Sequence, residues 1–162
     1  MTALRIRPLE AADADACDAI VLGLPYHFGL EAGRADCAAA VRRERGLVAV
    51  EGSEVVGFLT FVPRFDEATE VTWMAVRTDR RRRGIGHALI GSLEDIVRAE
   101  GRRAIVVLTV SPNDPDPERP DGYGATRAFY RSVGFTLVRD LEREWDSDLA
   151  VVMVRCLDRV AT

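Results

Sequence analysis

Arg81-Arg82-Arg83-Gly84-Ile85-Gly86 is the stretch that decides how this chain of 162 residues is interpreted. It follows an apolar run, Val71 to Val76, and leads into a helical pattern that starts at His87. Strand, loop and helix in this order suit a phosphorylated ligand, because two glycines let the backbone curl with several N–H groups pointing inward. The helix adds its unpaired N–H groups and the positive end of its dipole. The stretch therefore predicts an anion-binding loop.

Two common nucleotide-binding loops are excluded by the residues that follow. A Walker A loop needs Lys-Ser or Lys-Thr after its last glycine, where this chain has His87-Ala88, and a dinucleotide fingerprint needs a third glycine where Leu89 stands. The remaining structural alternative is a plain strand-to-helix turn with solvated arginines.

The arginines also raise the possibility of nucleic-acid binding, since Arg77 and residues 80–83 form a basic cluster. The formal net charge of −4 argues against a general nucleic-acid partner, whose footprint is usually basic. A phosphorylated small ligand explains a local basic patch equally well. We therefore expect no nucleic-acid partner.

Composition predicts an ordinary globular chain, with 48% apolar and 30% charged residues. The length predicts a single domain over residues 1–162. All the basic residues are arginine, so no lysine is available as a Schiff-base nucleophile. Three separated cysteines, without metal-ligand spacing, predict a reducing compartment and no metal site. The chain starts without a signal-like stretch and has no membrane-length apolar run, so we expect a cytoplasmic protein without a membrane partner.

Hydrophobic periodicity predicts an α/β fold with a mixed sheet that is antiparallel in its first half. Gly46 is expected to end the second helix, residues 63–69 to form a turn, and residues 23–33 and 111–124 to form loops. The predicted strands cover 4–7, 47–50, 55–62, 70–76, 104–110, 135–141 and 149–157, and the predicted helices cover 11–22, 34–45, 86–100 and 123–132.

Two segments resemble one known family, the GCN5-related N-acetyltransferases (GNAT family). Residues 81–86 fit its signature [Gln/Arg]-x-x-Gly-x-[Gly/Ala], and Ala128 to Phe135 resembles its Phe-Tyr-x-x-x-Gly-Phe segment. The element order agrees along nearly the whole chain. The resemblance implies a single-domain GNAT-like α/β fold, with a mixed, mostly antiparallel central sheet flanked by helices. It also implies acetyl-coenzyme A as the acetyl donor.

The resemblance also implies where the donor binds. The pantetheine arm would follow the strand before the glycine loop, and the pyrophosphate would lie on the loop's N–H groups. Tyr123 stands about where the family often has an asparagine, and Thr126 follows it as a further expected contact. The cofactor-binding residues expected in this way are Met74, Ala75, Val76, Arg81, Arg82, Arg83, Gly84, Ile85, Gly86, His87 and Thr126.

For catalysis, the resemblance assigns Tyr130 to protonating the departing thiolate, and its alternative is a core aromatic. Tyrosine suits this role because it keeps its proton at neutral pH. Glu70 is the candidate base for the acceptor amine, and its alternative is an ordinary strand-end charge. Competing carboxylates stand on neighbouring loops at Asp66, Glu67, Asp114 and Asp116.

The acceptor is expected to be a primary amine of a small molecule or peptide, and acidic residues around the presumed mouth favour a cationic one. The resemblance implies that the loop with Tyr26, His27 and Phe28 helps to line the acceptor site, and we expect His27 to be a surface residue rather than a base. Trp73 and Trp145 either line a pocket or fill the core. The alternative function is a non-catalytic acyl-coenzyme A sensor or partner-binding module. A homodimer is one expectation for the oligomeric state.

Overall fold

The computed structural model describes residues 3–28, 30–114, 123–142 and 149–158. Contacts divide the chain into two compact units. Unit 1 comprises residues 1–62 and 71–96, and unit 2 comprises residues 63–70 and 97–162.

Unit 1 holds the first strands and helices of the chain. Its strands lie side by side in chain order, and the pairs β1–β2 and β2–β3 are antiparallel. The strands are β1 (Leu4–Pro8), β2 (Arg45–Glu51), β3 (Glu54–Phe65) and β4 (Ala68–Val76), and the helices are α1 (Ala14–Leu22), α2 (Glu31–Arg43) and α3 (Ile85–Ala99); β3, β4 and α3 each end or begin in unit 2.

The core of unit 1 forms where α1 and α2 cover one face of these strands. Ile20 and Val21 on α1, Cys37 and Val41 on α2 and Phe58 on β3 belong to one buried cluster. Helix α3 buries a separate stripe at helical spacing, made of Leu89, Ile90 and Leu93. Each such side chain contributes about 1.5–3 kcal/mol when it leaves water.

Unit 2 contains the second half of the fold. It holds β5 (Ala104–Val110), α4 (Tyr123–Ser132), β6 (Thr136–Leu141) and β7 (Ala150–Cys156). Strand β7 lies between β5 and β6 and is antiparallel to both. The predicted pairing of the two closing strands is confirmed.

The predicted class is also confirmed, because the described residues form a mixed α/β fold with mostly antiparallel strands and helices in the expected order. Strand β5 and helix α4 have the predicted bounds, and α3 begins one residue early.

Two local expectations are wrong. Helix α2 spans 31–43 rather than 34–45, and Gly46 lies inside β2 instead of capping the helix. A Cβ at Gly46 would lie 2.7 Å from the Leu59 carbonyl oxygen and 2.8 Å from the Leu9 Cδ2, so close packing demands this glycine. The expected turn at 63–69 shortens to residues 66–67, because β3 continues through Pro63 to Phe65 and β4 starts at Ala68.

Candidate functional site

The arginine–glycine loop has a backbone suited to an anion. Arg82 has φ 61° and Gly84 has φ 78°, so left-handed residues alternate along the turn. The Ala88 N–H donates to the Gly84 carbonyl (2.9 Å), which makes Gly84 the residue from which α3 starts. The N–H groups of Ile85 and Gly86 therefore belong to the first turn, where a helix leaves its donors without intrahelical partners. This is the nest-and-helix geometry that binds phosphate groups.

The arginines around this loop separate into two groups. Asp79 accepts two hydrogen bonds from Arg77 (2.6 and 2.8 Å) and one from Arg80 (2.7 Å). Arg77 also reaches Glu54 at 3.2 Å, and Arg80 reaches Glu51 at 2.9 Å. The hydrogen bonds from Arg77, with the nearby positive charges, lower the pKa of Asp79 to about 2.

Arg81, Arg82 and Arg83 form the second group. All three are exposed, and within the described parts of the chain none has a carboxylate partner. The predicted basic cluster is thus partly structural, and its three exposed members have charges that no described carboxylate neutralises.

Strand β4, which precedes the loop, carries an irregularity opposite β3. The Arg77 N–H donates to the Val56 carbonyl (2.9 Å), and the Thr72 and Thr60 hydroxyl oxygens are 2.7 Å apart. Thr72 and Arg77 are five residues apart on the β4 side, whereas their partners on β3, Val56 and Thr60, are only four residues apart. One extra residue on a strand is a β-bulge, which takes a residue out of the ladder. The bulge falls next to Met74, Ala75 and Val76, the expected pantetheine contacts.

Gly57 of β3 lets β4 and α3 approach closely near the loop. A Cβ at Gly57 would lie 3.2 Å from the Ala75 carbonyl oxygen and 3.2 Å from the Ile85 Cγ2. The strand end and the helix start are therefore packed against one small residue, which fixes the direction in which the loop leaves the sheet.

A short chain of hydrogen bonds between polar side chains lies on the face of these strands that α1 and α2 cover. The Thr72 hydroxyl donates to the Glu44 carboxylate. Because Thr72 has a single hydroxyl proton, Thr60 must donate in the 2.7 Å contact between the two threonines. Thr60 is fully buried, whereas Thr72 and Glu44 are partly exposed.

The segment between α1 and α2 brings its aromatic residues to the edge of the unit 1 core. The Phe28 and Trp73 rings lie 5.8 Å apart, and Trp73 packs against the buried cluster. The Tyr26 and His27 rings meet edge to face at 5.4 Å. Three apolar side chains of this region are exposed to solvent, namely Leu22, Tyr26 and Leu30.

In unit 2, Tyr130 lies on α4 between two aromatic rings. The ring centres of Phe129 and Phe135 are 5.2 and 5.3 Å from that of Tyr130. The Tyr130 side chain is buried, and burial raises the pKa of its phenol. The group keeps its proton throughout the neutral range, as an acid must.

Helix α4 also contains a buried charge beside Thr126. Arg127 is only 4% exposed, and its guanidinium donates to the Val110 carbonyl at the end of β5 (2.8 Å). This bond ties α4 to β5 within unit 2. Thr126 itself is partly exposed.

Glu70, the expected base, stands at the start of β4. Its carboxylate accepts a hydrogen bond from the Arg64 guanidinium, and both residues lie in unit 2. Its side chain is 18% exposed, so Glu70 is a partly buried, paired carboxylate.

The start of the predicted 111–124 loop is held by a carboxylate. Asp140 accepts hydrogen bonds from the Ser111 hydroxyl (2.5 Å) and from the Asn113 side chain (2.9 Å), and the Asn113 bond is the main cause of its lowered pKa. Asp114 accepts from the Leu149 N–H at 2.6 Å. Residues 115–122, including Asp116, and residues 143–148, including Trp145, lie outside the described residues.

Sequence reasoning missed Glu44, Thr60 and Thr72 as a connected group. Glu44 lies 28 positions from Thr72, so no local spacing links them. It also missed the structural role of Arg127. The available signal was a charged residue on the apolar side of an amphipathic helix.

Comparison with protein families identifies the class of protein. Residues 15–135 match the family model described as the acetyltransferase (GNAT) family. That match covers more than half of the chain, and it contains both the arginine–glycine loop and the Phe129-Tyr130 pair. The chain belongs to the GNAT family of acetyltransferases, as the two sequence motifs suggested.

Solved structures show the same fold. A GNAT-family protein from Desulfovibrio desulfuricans has a TM-score of 0.82 and 19% identity, over 96% of this chain and all of that one. An aminoglycoside 6'-N-acetyltransferase bound to coenzyme A has a TM-score of 0.73 and 17% identity, over 98% of this chain and 99% of that one. The Escherichia coli ribosomal-protein-S18-alanine N-acetyltransferase has a TM-score of 0.73 and 18% identity, over 98% and 97% of the two chains.

No curated protein sequence matches this chain. Among the described residues, no helix combines the length and apolar character needed to cross a membrane.

Proposed function

We propose that this protein is an acetyl-coenzyme A-dependent N-acetyltransferase that moves an acetyl group directly to a primary amine of a small molecule or peptide. The observation that carries the proposal is the loop in which Arg82 and Gly84 adopt left-handed backbone and α3 begins. It follows a bulged strand, in a chain of an acetyltransferase family.

The residues present fit the phosphates of coenzyme A. In the proposed site, the N–H groups of Arg82 to His87 bind the pyrophosphate, whereas the Arg81 N–H donates to the Thr78 carbonyl (3.4 Å). The Arg81, Arg82 and Arg83 side chains neutralise the charge of the pyrophosphate. The backbone of Met74, Ala75 and Val76 binds the pantetheine arm beside the bulge. Thr126 is an added polar contact from α4. The coenzyme A complex of the aminoglycoside enzyme, which has the same fold, supports this choice of ligand.

When bound, acetyl-coenzyme A supplies an activated acetyl group and a thiolate leaving group. The chain holds the amine against that group, and holding two reactants close supplies up to ~7–11 kcal/mol in favourable cases. Tyr130 donates its phenolic proton as the carbon–sulfur bond breaks and the carbon–nitrogen bond forms. An acid of this kind contributes typically ~10²–10⁴-fold.

The acceptor amine must also lose a proton. We assign this step first to Glu70, through the carboxylate oxygen that Arg64 does not hold. An ammonium acceptor loses two protons in all. The first goes to Glu70 before the nitrogen attacks, and the second leaves the nitrogen after the carbon–nitrogen bond has formed and returns to the Tyr130 phenolate. Glu70 then releases its proton to water, so each turnover yields one proton and leaves the charge on the protein unchanged.

The proposed acceptor is a cationic amine at the segment between α1 and α2. Structural neighbours include enzymes named for an aminoglycoside and for the alanine of a ribosomal protein, which defines two amine classes to try. The exposed Tyr26 and Leu30 would contact the uncharged part of the acceptor.

The experiment is a thiol-release assay with acetyl-coenzyme A and a panel of amines: an aminoglycoside, a polyamine, an arylalkylamine and a peptide starting with alanine. We expect turnover on at least one amine. Tyr130→Phe should lower kcat while the KM for acetyl-coenzyme A stays nearly constant. Ser132→Ala, at an exposed position on the same helix, is the control. Coenzyme A binding without turnover on any amine would instead favour the sensor function.

A further inference from the structure

The Thr60–Thr72–Glu44 chain has a fixed direction. Thr72 gives its only hydroxyl proton to the Glu44 carboxylate and accepts the proton of the buried Thr60. A hydroxyl oxygen has two lone pairs, so Thr72 retains one acceptor site and no donor. A group that reaches this hydroxyl must therefore approach with an N–H or O–H.

The place of this hydroxyl matters for the proposed reaction. Thr72 directly precedes Trp73 and Met74 at the bulge of β4, where the reacting end of the donor is expected. An ammonium group is a donor with three protons, and it matches the single lone pair that Thr72 presents. The hydrogen bond from buried Thr60 restricts the rotamer of Thr72, so the remaining lone pair of the Thr72 oxygen keeps its direction.

Glu44 connects the chain to solvent. It lines an open cleft of about 460 Å³ in unit 1, together with Glu10, Asp15 and Arg42 as the other charged groups. Arg42 is bound by Asp18 at 2.7 Å and approaches Asp15 at 3.7 Å, so its charge is already matched. Burial, and then nearby negative charges including that of Glu44, raise the pKa of the Cys37 thiol to about 12.

We infer that Glu44, acting through the Thr72 hydroxyl, receives the proton of the acceptor's ammonium group. The ammonium passes a proton to the Thr72 oxygen while the Thr72 proton moves to the Glu44 carboxylate. The products are a neutral amine, an intact threonine hydroxyl and a protonated Glu44, so protons and charge balance. Glu44 then loses the proton to water in the cleft.

This inference rests on the proposed function and adds a second route beside Glu70, whose carboxylate is paired with Arg64. Thr72 is the residue that touches the acceptor, and Glu44 is a positioning residue that acts through it. The route lies wholly within unit 1.

The test compares Glu44→Gln, Thr72→Val and Thr72→Ser on the amine of the panel that the wild type acetylates fastest. Near neutral pH, the first two should lower kcat/KM by about tenfold, less than the ~10²–10⁴-fold typical of a sole base because Glu70 remains. Thr72→Ser keeps the hydroxyl and should restore most of the rate. The double variant should be no slower than either single variant, because both interrupt one chain.

The dependence on pH separates proton transfer from mere structure. Above the pKa of the acceptor amine no base is needed, so the ratio of wild-type to Glu44→Gln kcat/KM should fall towards one. A ratio that stays constant with pH, or one that is close to one at every pH, would overturn the relay. Coenzyme A binding and thermal stability should be unchanged in Thr72→Ser. If the wild type itself acetylates no amine, the proposed function fails and the relay fails with it.

Discussion

Asp79 binds Arg77 through two hydrogen bonds, so the Arg77 guanidinium beside the arginine–glycine loop already has a carboxylate partner. The same carboxylate also holds Arg80. The arginines that follow have no such partner among the described residues. The basic cluster, which looks uniform in the sequence, therefore divides into arginines that are paired with carboxylates and arginines that are not, within the described residues.

Replacing Arg81, Arg82 and Arg83 together with glutamine should weaken coenzyme A binding by at least about tenfold at low salt, since charged hydrogen bonds contribute roughly 1.5–3 kcal/mol each when well formed. The loss should shrink at high salt, because exposed charges are screened. Isothermal titration calorimetry at two ionic strengths measures both effects. Arg43→Gln, an exposed arginine at the end of α2, is the control. Equal affinity of the triple variant and the control would remove these side chains from the site.

Substitutions at two glycines test the contribution of backbone conformation separately from that of charge. Gly84→Ala forces a side chain into a left-handed position at a cost of roughly 1–2 kcal/mol, and it should lower both stability and coenzyme A affinity. Gly91→Ala, inside α3 with open space around it, should stabilise the protein by up to about 1 kcal/mol and leave binding unchanged. Urea unfolding with a binding titration checks the pair. Equal effects of Gly84→Ala and Gly91→Ala on stability and on coenzyme A affinity would contradict this account of the loop.

The pair of Arg7 and Asp13 predicts a stability that depends on pH. Arg7 donates two hydrogen bonds to Asp13 (2.7 and 2.8 Å), and these bonds are the main cause of the lowered pKa of Asp13. The stabilisation is complete above the ordinary aspartate pKa of about 3.9, and it is lost as the pH falls through the lower folded-state value.

Asp13→Asn should therefore lower the free energy of unfolding by about 1–3 kcal/mol at neutral pH, and by progressively less below about pH 4. Urea unfolding at a series of pH values measures the difference. If the loss of unfolding free energy in Asp13→Asn grew as the pH fell, the prediction would be contradicted. Asp36→Asn, at an exposed position on α2, is the control.

The reactivity of the three cysteines towards a thiol reagent depends on their burial. Burial is the main cause that raises the pKa of both Cys17 and Cys37 to about 12, and these thiols stay protonated and covered by the core. Cys156 is exposed. A maleimide should therefore label Cys156 quickly in the folded protein and all three cysteines after denaturation. Rapid native labelling of Cys17 would show that the α1–α2 core opens.

The sequence predicts the strand–loop–helix arrangement around residues 81–86 and helix α4 well because local signals coincide there. The glycines of the loop are required by backbone geometry at the start of a helix, and the apolar spacing of residues 123–132 matches a helix period. The same physical properties that make the motif recognisable therefore also place it in the fold.

The strand position of Gly46 and the Thr72–Glu44 contact could not be predicted from the sequence. A glycine after a helical stretch is usually a cap, but Gly46 is required by the close approach of Leu9 and Leu59, which are distant in sequence. The β4 bulge and the carboxylate bound to Thr72 likewise depend on strand register. Register is a tertiary property, so no local pattern predicts either feature.

Mass spectrometry of the amine panel after incubation with acetyl-coenzyme A and the wild-type protein tests the central claim most directly. We predict that at least one primary amine gains a single acetyl group, in an amount equal to the thiol released, and that Tyr130→Phe forms it much more slowly. Thiol release without any acetylated amine, or no reaction at all despite bound coenzyme A, would contradict the assignment as an amine N-acetyltransferase.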